Sequence, residues 1–207
     1  MYNSHLKFLI NFYITARFKI VNNIFSVSKF VYNHFTIYEN KKVFPFLLGA
    51  ITYYSDSQFS KYAVDSIDLS RYAGSWYEIE RIPNSFQGEI TNVRATYSVR
   101  SDGNITVYNE GTFSNGSSRS NTGVAIPPSL PKAILKVSFF YPVRFSDYYI
   151  IGLDTTNYSH AMVGGPVPEI LWILSRESTL SDAIINSYKA SAKAMGYNTS
   201  SLKSYVK

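Results

Sequence analysis

The chain has 207 residues, 45% hydrophobic and 16% charged, so it can bury a core and is too apolar for a disordered polypeptide. Its formal net charge is +6 and it contains no cysteine, which excludes disulfides, thiolate nucleophiles, thiolate metal ligands and a lipid-modified cysteine. Eighteen Tyr and fourteen Phe against two Trp tilt the composition towards β structure, because aromatic side chains suit a pleated, half-buried surface.

The positive charge is concentrated at the start. Residues 1–66 carry seven Lys or Arg and three Asp or Glu, whereas residues 67–207 carry thirteen and eleven. No acid occurs from Met1 to Tyr38, and Lys7, Arg17, Lys19 and Lys29 punctuate short apolar runs. Lys41 and Lys42 then precede an uncharged stretch, residues 43–55, containing Phe44, Phe46, Leu47, Leu48 and Ile51. This has the order of a signal peptide's basic and apolar regions displaced inwards, and is too short for a membrane-spanning helix of about 20 apolar residues. Residues 1–66 are therefore expected to be a targeting or membrane-associating extension, poorly ordered; a start codon set too far upstream is the alternative. An anionic membrane surface suits this basic segment better than nucleic acid, for which no motif is present.

From residue 67 the pattern turns to short strands. Residues 77–82 alternate. Val93-Arg94-Ala95-Thr96-Tyr97-Ser98-Val99 puts Val93, Ala95, Tyr97 and Val99 on one face. Ser101-Asp102-Gly103-Asn104 is a hairpin turn and Ile105-Thr106-Val107-Tyr108 alternates again, as a meander requires. Further strands are predicted at 123–126, 133–140, 148–153, 160–163 and 170–175. Ser181-Asp182 caps a helix whose stripe is Ala183, Ile184, Tyr188, Ala192 and Met195, and Gly196 ends it. A short strand, 202–206, follows. Evenly spaced strands with intervening turns indicate a sandwich or an up-and-down barrel, and a sandwich has no reason to end in one helix and one strand.

Particular residues narrow this further. Gly74-Ser75-Trp76 within Asp68-Leu69-Ser70-Arg71-Tyr72-Ala73-Gly74-Ser75-Trp76-Tyr77-Glu78-Ile79, and Leu171-Trp172-Ile173-Leu174-Ser175-Arg176 about a hundred residues later, resemble the opening and the arginine-ending strand of lipocalins. Ala95-Thr96-Tyr97-Ser98, Leu135-Lys136-Val137-Ser138-Phe139-Phe140 and His160-Ala161-Met162-Val163-Gly164-Gly165-Pro166 look like the branch containing bacterial lipocalin and apolipoprotein D. The resemblance covers about residues 67–206. It implies an all-β fold: an eight-stranded antiparallel up-and-down β-barrel, the lipocalin calyx, with one C-terminal α-helix and a final short strand, over a domain of 67–207. It also implies a structural plug of Gly74, Trp76 and Arg176 at the closed end, with the arginine packed across the indole. An eight-stranded barrel has room for one small ligand, so a small hydrophobic ligand such as a fatty acid or lysophospholipid is the implied partner. Membrane maintenance is the implied role, and the implied location is secreted or membrane-associated.

Side-chain alternation then nominates ligand contacts. If Arg176 points inward, so do Leu174 and Trp172. Trp172, Ala95, Tyr97, Val99, Leu135, Val137, Phe139, Tyr149 and Ile151 are the candidates. Trp76 inward implies Glu78 and Glu80 inward too, which would bury two carboxylates at several kcal/mol. Either a base such as Arg94 or Arg100 pairs with one, or a bulge flips the register, or Glu78 bonds a ligand's polar head.

Catalytic and metal chemistry find little support. No Gly-x-Ser-x-Gly elbow occurs, and His5, His34 and His160 are scattered, so no metal, haem or other cofactor is expected. Four Asn-x-Ser/Thr sequons occur, about as many as chance predicts in a chain this rich in Asn, Ser and Thr. An enzyme acting on a lipid, or a protein-interaction module with a filled barrel, are the rival readings.

Overall fold

The computed structural model describes residues 57–127 and 132–206; the basic apolar runs expected to target or anchor the chain lie outside them. The elements in order are a 3-10 turn Ser60–Tyr62, α1 (Leu69–Tyr72), β1 (Gly74–Arg81), β2 (Thr91–Val99), β3 (Ile105–Thr112), β4 (Ser118–Ile126), β5 (Ile134–Ser138), β6 (Ser146–Leu153), β7 (His160–Gly164), β8 (Leu171–Ser175), α2 (Asp182–Met195), a 3-10 turn Thr199–Ser201 and β9 (Lys203–Ser204). From β2 to β8 each strand pairs antiparallel with the next, and β8 returns to β1. Because β1 also pairs with β2 through Gly74↔Tyr97 to Tyr77↔Arg94, the sheet closes on itself as an eight-stranded barrel. β9 adds to the far half of β1 at Glu80↔Ser204 and Arg81↔Lys203, where β2 has splayed away.

The alternation seen in the sequence becomes two packed layers. Inside the barrel Trp76, Tyr97, Val107, Leu135, Ile150, Val163 and Leu174 form one cluster. Outside it Phe59, Ala63, Tyr149, Ile151, Met162, Leu171, Ala192 and Tyr197 form a second, between the barrel wall and α2. Phe59 and Ala63 are 1% and 3% exposed, so packing on the barrel begins upstream of residue 66.

Local chemistry sets the helix ends. The Ser181 side chain accepts from the Ile184 amide, and Gly196 at φ 98° terminates α2 in the left-handed conformation that glycine adopts without strain. Asp68 caps α1 by accepting from the amides of Ser70 and Arg71. That short helix sits directly before Gly74 and helps close one end of the barrel: Tyr72 is 1% exposed, and Val64, Ile67 and Leu69 pack against the interior cluster.

Candidate functional site

The closed end is built around Trp76, which is fully buried. Its indole N–H donates to the Tyr72 carbonyl at 2.8 Å, and the Arg176 guanidinium lies 3.8 Å from the ring centroid. Arg176 also donates to the carbonyls of Ser75 (2.9 Å), Arg71 (2.7 Å), Tyr72 (3.1 Å), Ala73 (2.9 Å) and Tyr158 (3.2 Å). A planar fork with five N–H donors can serve several carbonyls while stacking on an aromatic face; a point-charge lysine cannot. Gly74 has φ 95°, and a Cβ there would stand 3.2 Å from Arg176 Nη1, so glycine is what lets the guanidinium lie against the chain.

Above this floor the wall is apolar. Leu135 is fully buried, and Ala95, Val137, Phe139, Tyr148 and Trp172 are partly buried residues packed on the interior cluster. Asn109 stands across from Ala95 in the β2–β3 register and buries its Oδ1 with no hydrogen-bond partner among the described residues.

Three expected contacts are corrected. Tyr149 and Ile151 belong to the outer layer beneath α2; the inward residues of β6 are Tyr148 and Ile150. Both faces of β6 are apolar, so composition alone does not say which one faces in. Val99 closes β2 next to the hairpin of residues 100–104 and is 52% exposed, at the closed end and outside the packed interior.

The buried carboxylates are resolved by a bulge. The β1–β8 register shifts between Glu78 and Glu80, so the two do not share a face. Glu80 turns to α2, where Lys189 donates to its Oε1 at 2.7 Å. Glu78 stays on the inner face and pairs with Arg81, itself fully buried. Arg94 and Arg100, the expected partners, pair instead with Glu110 and Asp102. Glu78 Oε2 also accepts from Gln87 Nε2 at 2.7 Å. Burial pushes the Glu78 carboxyl above its usual value, while Arg81 and Gln87 pull the other way.

Gln87 ties this pair to the β1–β2 loop. Its Oε1 accepts from Trp172 Nε1 at 3.0 Å and from Asn84 Nδ2 at 2.8 Å. Arg81 Nη2 donates to the carbonyls of Gly88 (2.7 Å) and Ile90 (2.9 Å), and Tyr205 covers its guanidinium at 3.6 Å. Sequence reasoning missed Gln87 and Tyr205, since loop and tail residues have no periodicity to reveal them, and Arg81, since the bulge in β1 that brings it to Glu78 leaves no mark in the pattern.

Among the described residues no group of three His, Asp or Glu side chains is arranged to hold a metal ion. His160 is engaged with the Tyr188 hydroxyl, Nδ1 to oxygen 2.7 Å, which docks α2 on β7.

A closed barrel of eight antiparallel strands, floored by a stacked Trp–Arg pair and walled with apolar side chains, is the architecture of a calyx protein. A lipocalin-like domain model matches residues 67–207, and this chain belongs to the lipocalin family. It is 41% identical over 139 residues to the outer membrane lipoprotein Blc of Escherichia coli K12, spanning 66% of this chain and 77% of that one. It is 36% identical over 148 residues to temperature-induced lipocalin-1 of Arabidopsis thaliana, 67% of this chain and 78% of that one. In fold it is similar to insecticyanin from the tobacco hornworm Manduca sexta, with TM-score 0.57, 19% identity and coverage of 74% and 85%. Lobster apocrustacyanin A1 is similar too, with TM-score 0.56, 20% identity and coverage of 68% and 79%.

Proposed function

We propose that this protein binds and carries or stores a small lipid, a fatty acid or lysophospholipid, in the barrel interior. The carrying observation is the interior itself, closed below by Trp76 and Arg176 and walled above by Ala95, Val137, Phe139 and Trp172, all only partly buried. Transfer of an acyl chain from water onto such a surface releases about 25 cal/mol per Å² of apolar area. Leu135 and Trp172 contribute that wall, and Glu78 and Gln87 stand on it as polar groups able to orient a head. Binding without chemistry is the reading that fits, because Glu78 and Arg81 satisfy each other.

The mouth supports lipid exchange at a membrane. In an up-and-down barrel alternate connections share one end, so the β1–β2, β5–β6 and β7–β8 loops surround the opening. They carry Phe86, Phe140, Tyr141, Val143 and Val167, between 42% and 63% exposed, a grouping of the kind that marks interaction surfaces. Similarity to proteins named outer membrane lipoproteins supports a location outside the cytoplasm, secreted or membrane-associated, with membrane maintenance as the role. Native mass spectrometry of the purified protein tests this: co-purifying lipid is expected. A barrel that carries none, and that neither fatty acid nor lysophospholipid enters, would favour the interaction-module reading instead.

A further inference from the structure

The barrel floor holds three tyrosines whose hydroxyls form a chain. Tyr72 and Tyr148 oxygens are 2.8 Å apart, and Tyr97 and Tyr148 oxygens 2.9 Å apart. Tyr72 and Tyr97 are 1% and 5% exposed; Tyr148 is partly buried against the same interior cluster. The Tyr72 ring stands 4.9 Å from that of Trp76 and 5.5 Å from that of Tyr97. Tyr148 thus bridges two buried phenols on the inner face of the barrel, in the cluster that Val64, Ile67 and Leu69 also pack against.

A count of protons exposes a surplus. Each neutral phenol carries one donor proton, so the chain has three protons for two contacts. If Tyr72 donates to Tyr148 and Tyr148 to Tyr97, the Tyr97 proton is left over; reversing the direction leaves that of Tyr72. If both outer phenols donate to Tyr148, its own proton is left. No arrangement consumes all three, and among the described residues no other hydrogen-bond partner of these hydroxyls is found. Titration does not remove the surplus: burial raises Tyr72 and Tyr148 well above the usual phenol value and Tyr97 to about 12. A buried donor without an acceptor is costly, so the floor is built to receive one.

We propose that the floor is a second polar subsite, formed by the hydroxyls of Tyr72, Tyr97 and Tyr148, which takes an oxygen acceptor on the buried end of the ligand. This rests on the interior being the lipid site. The class of ligand is then an acyl chain that enters with the end remote from its carboxyl first and carries a hydroxyl or keto oxygen there, rather than a hydrocarbon tail. A purely apolar tip leaves the surplus proton unmet; an oxygen-tipped chain meets it.

The test compares hexadecanoic acid with 16-hydroxyhexadecanoic acid, which has oxygen at both ends, by displacement of N-phenyl-1-naphthylamine, a probe without oxygen. The full-length protein is compared with the isosteric triple variant Tyr72→Phe, Tyr97→Phe, Tyr148→Phe. The native protein is expected to bind the hydroxy acid at least as tightly as hexadecanoic acid. In the variant the affinity ratio should fall about tenfold against the hydroxy acid, because a hydroxyl buried without a partner loses about that much, while the probe's own affinity is kept. An unchanged ratio overturns the subsite, as a floor satisfied by resident water would give. Failure of the native protein to bind even the probe overturns the lipid-site reading, and this proposal with it. A measurement on the native protein alone guards against a variant that does not fold. The carbonyl stretch of bound 15-oxohexadecanoic acid, 13C-labelled at the keto carbon, should lie below its position in hexane. A stretch unshifted from hexane also overturns the proposal.

Discussion

Replacing Arg176 with alanine removes five donated hydrogen bonds and one aromatic stack at a single position. The carbonyls it serves come from the end of α1, from the start of β1 and from the turn before β7, so one side chain holds three segments together. A hydrogen bond from a charged donor is worth about 1.5–3 kcal/mol when well formed. Three of the five share Nη2 and the Arg71 carbonyl is exposed, so the sum is far from additive. The stack adds about 1 kcal/mol. A loss of about 3–5 kcal/mol follows, which for a domain of this size lowers Tm by roughly 10 °C. Urea titration followed both by tryptophan emission and by far-ultraviolet circular dichroism measures it. Arg176→Lys keeps the charge but not the fork and should recover less than half. A cost below 1 kcal/mol for Arg176→Ala, or full rescue by lysine, would refute the claim that the fork's geometry closes the barrel.

Two further outcomes are expected. Arg81→Met leaves the Glu78 carboxylate buried without its partner and should cost about 3–5 kcal/mol at neutral pH. An acid whose folded pKa is raised binds protons more readily folded than unfolded, so stability falls as pH rises between the unfolded and folded values. The Glu78 carboxyl is already raised by burial, so this deficit should shrink as pH falls below its folded value, seen as a pH-dependent urea midpoint; a deficit independent of pH would contradict it. Phe59→Ala in the full chain should cost about 3–5 kcal/mol, because that ring packs 4.3 Å from Tyr197 in the outer layer; a change under 1 kcal/mol in thermal unfolding would place residues 57–66 outside the folded unit.

The barrel itself was legible because its signals are local and periodic. Gly74 and Trp76 at one end, and Leu174 and Arg176 at the other, fix the parity of β1 and β8, and the turn of residues 101–104 fixes the β2–β3 hairpin. What was not legible has specific causes. The β6 strand reads Tyr148-Tyr149-Ile150-Ile151, apolar on both faces, because one face lines the interior and the other packs under α2; no alternation distinguishes them. Arg94 on β2 and Arg100 just after it are the expected bases for Glu78, yet the bulge after Glu78 brings Arg81 of the same strand to it, and a bulge leaves no mark in a run as regular as Glu78-Ile79-Glu80. Extent was missed too: β4 begins at Ser118 rather than 123, because its first half, Ser-Arg-Ser-Asn-Thr, is exposed and carries no apolar residue. The tyrosine chain draws on α1, β2 and β6, three stretches that only closure of the barrel brings together.

Lipid carriage requires that an apolar molecule enter the barrel, and Trp172 is placed to report it. Its indole is partly buried on the interior cluster with Nε1 bonded to Gln87, whereas Trp76 is sealed beneath at the floor. These two tryptophans are the only ones in the chain, so titration of hexadecanoic acid into the native protein and into Trp172→Phe separates their signals while conserving aromatic bulk. Saturable quenching or a shift of emission in the native protein, mostly lost in the folded Trp172→Phe variant, is the predicted result. No saturable change in the native protein, or a change that persists undiminished in the variant, would contradict the claim that ligand lies in the interior beside the eighth strand.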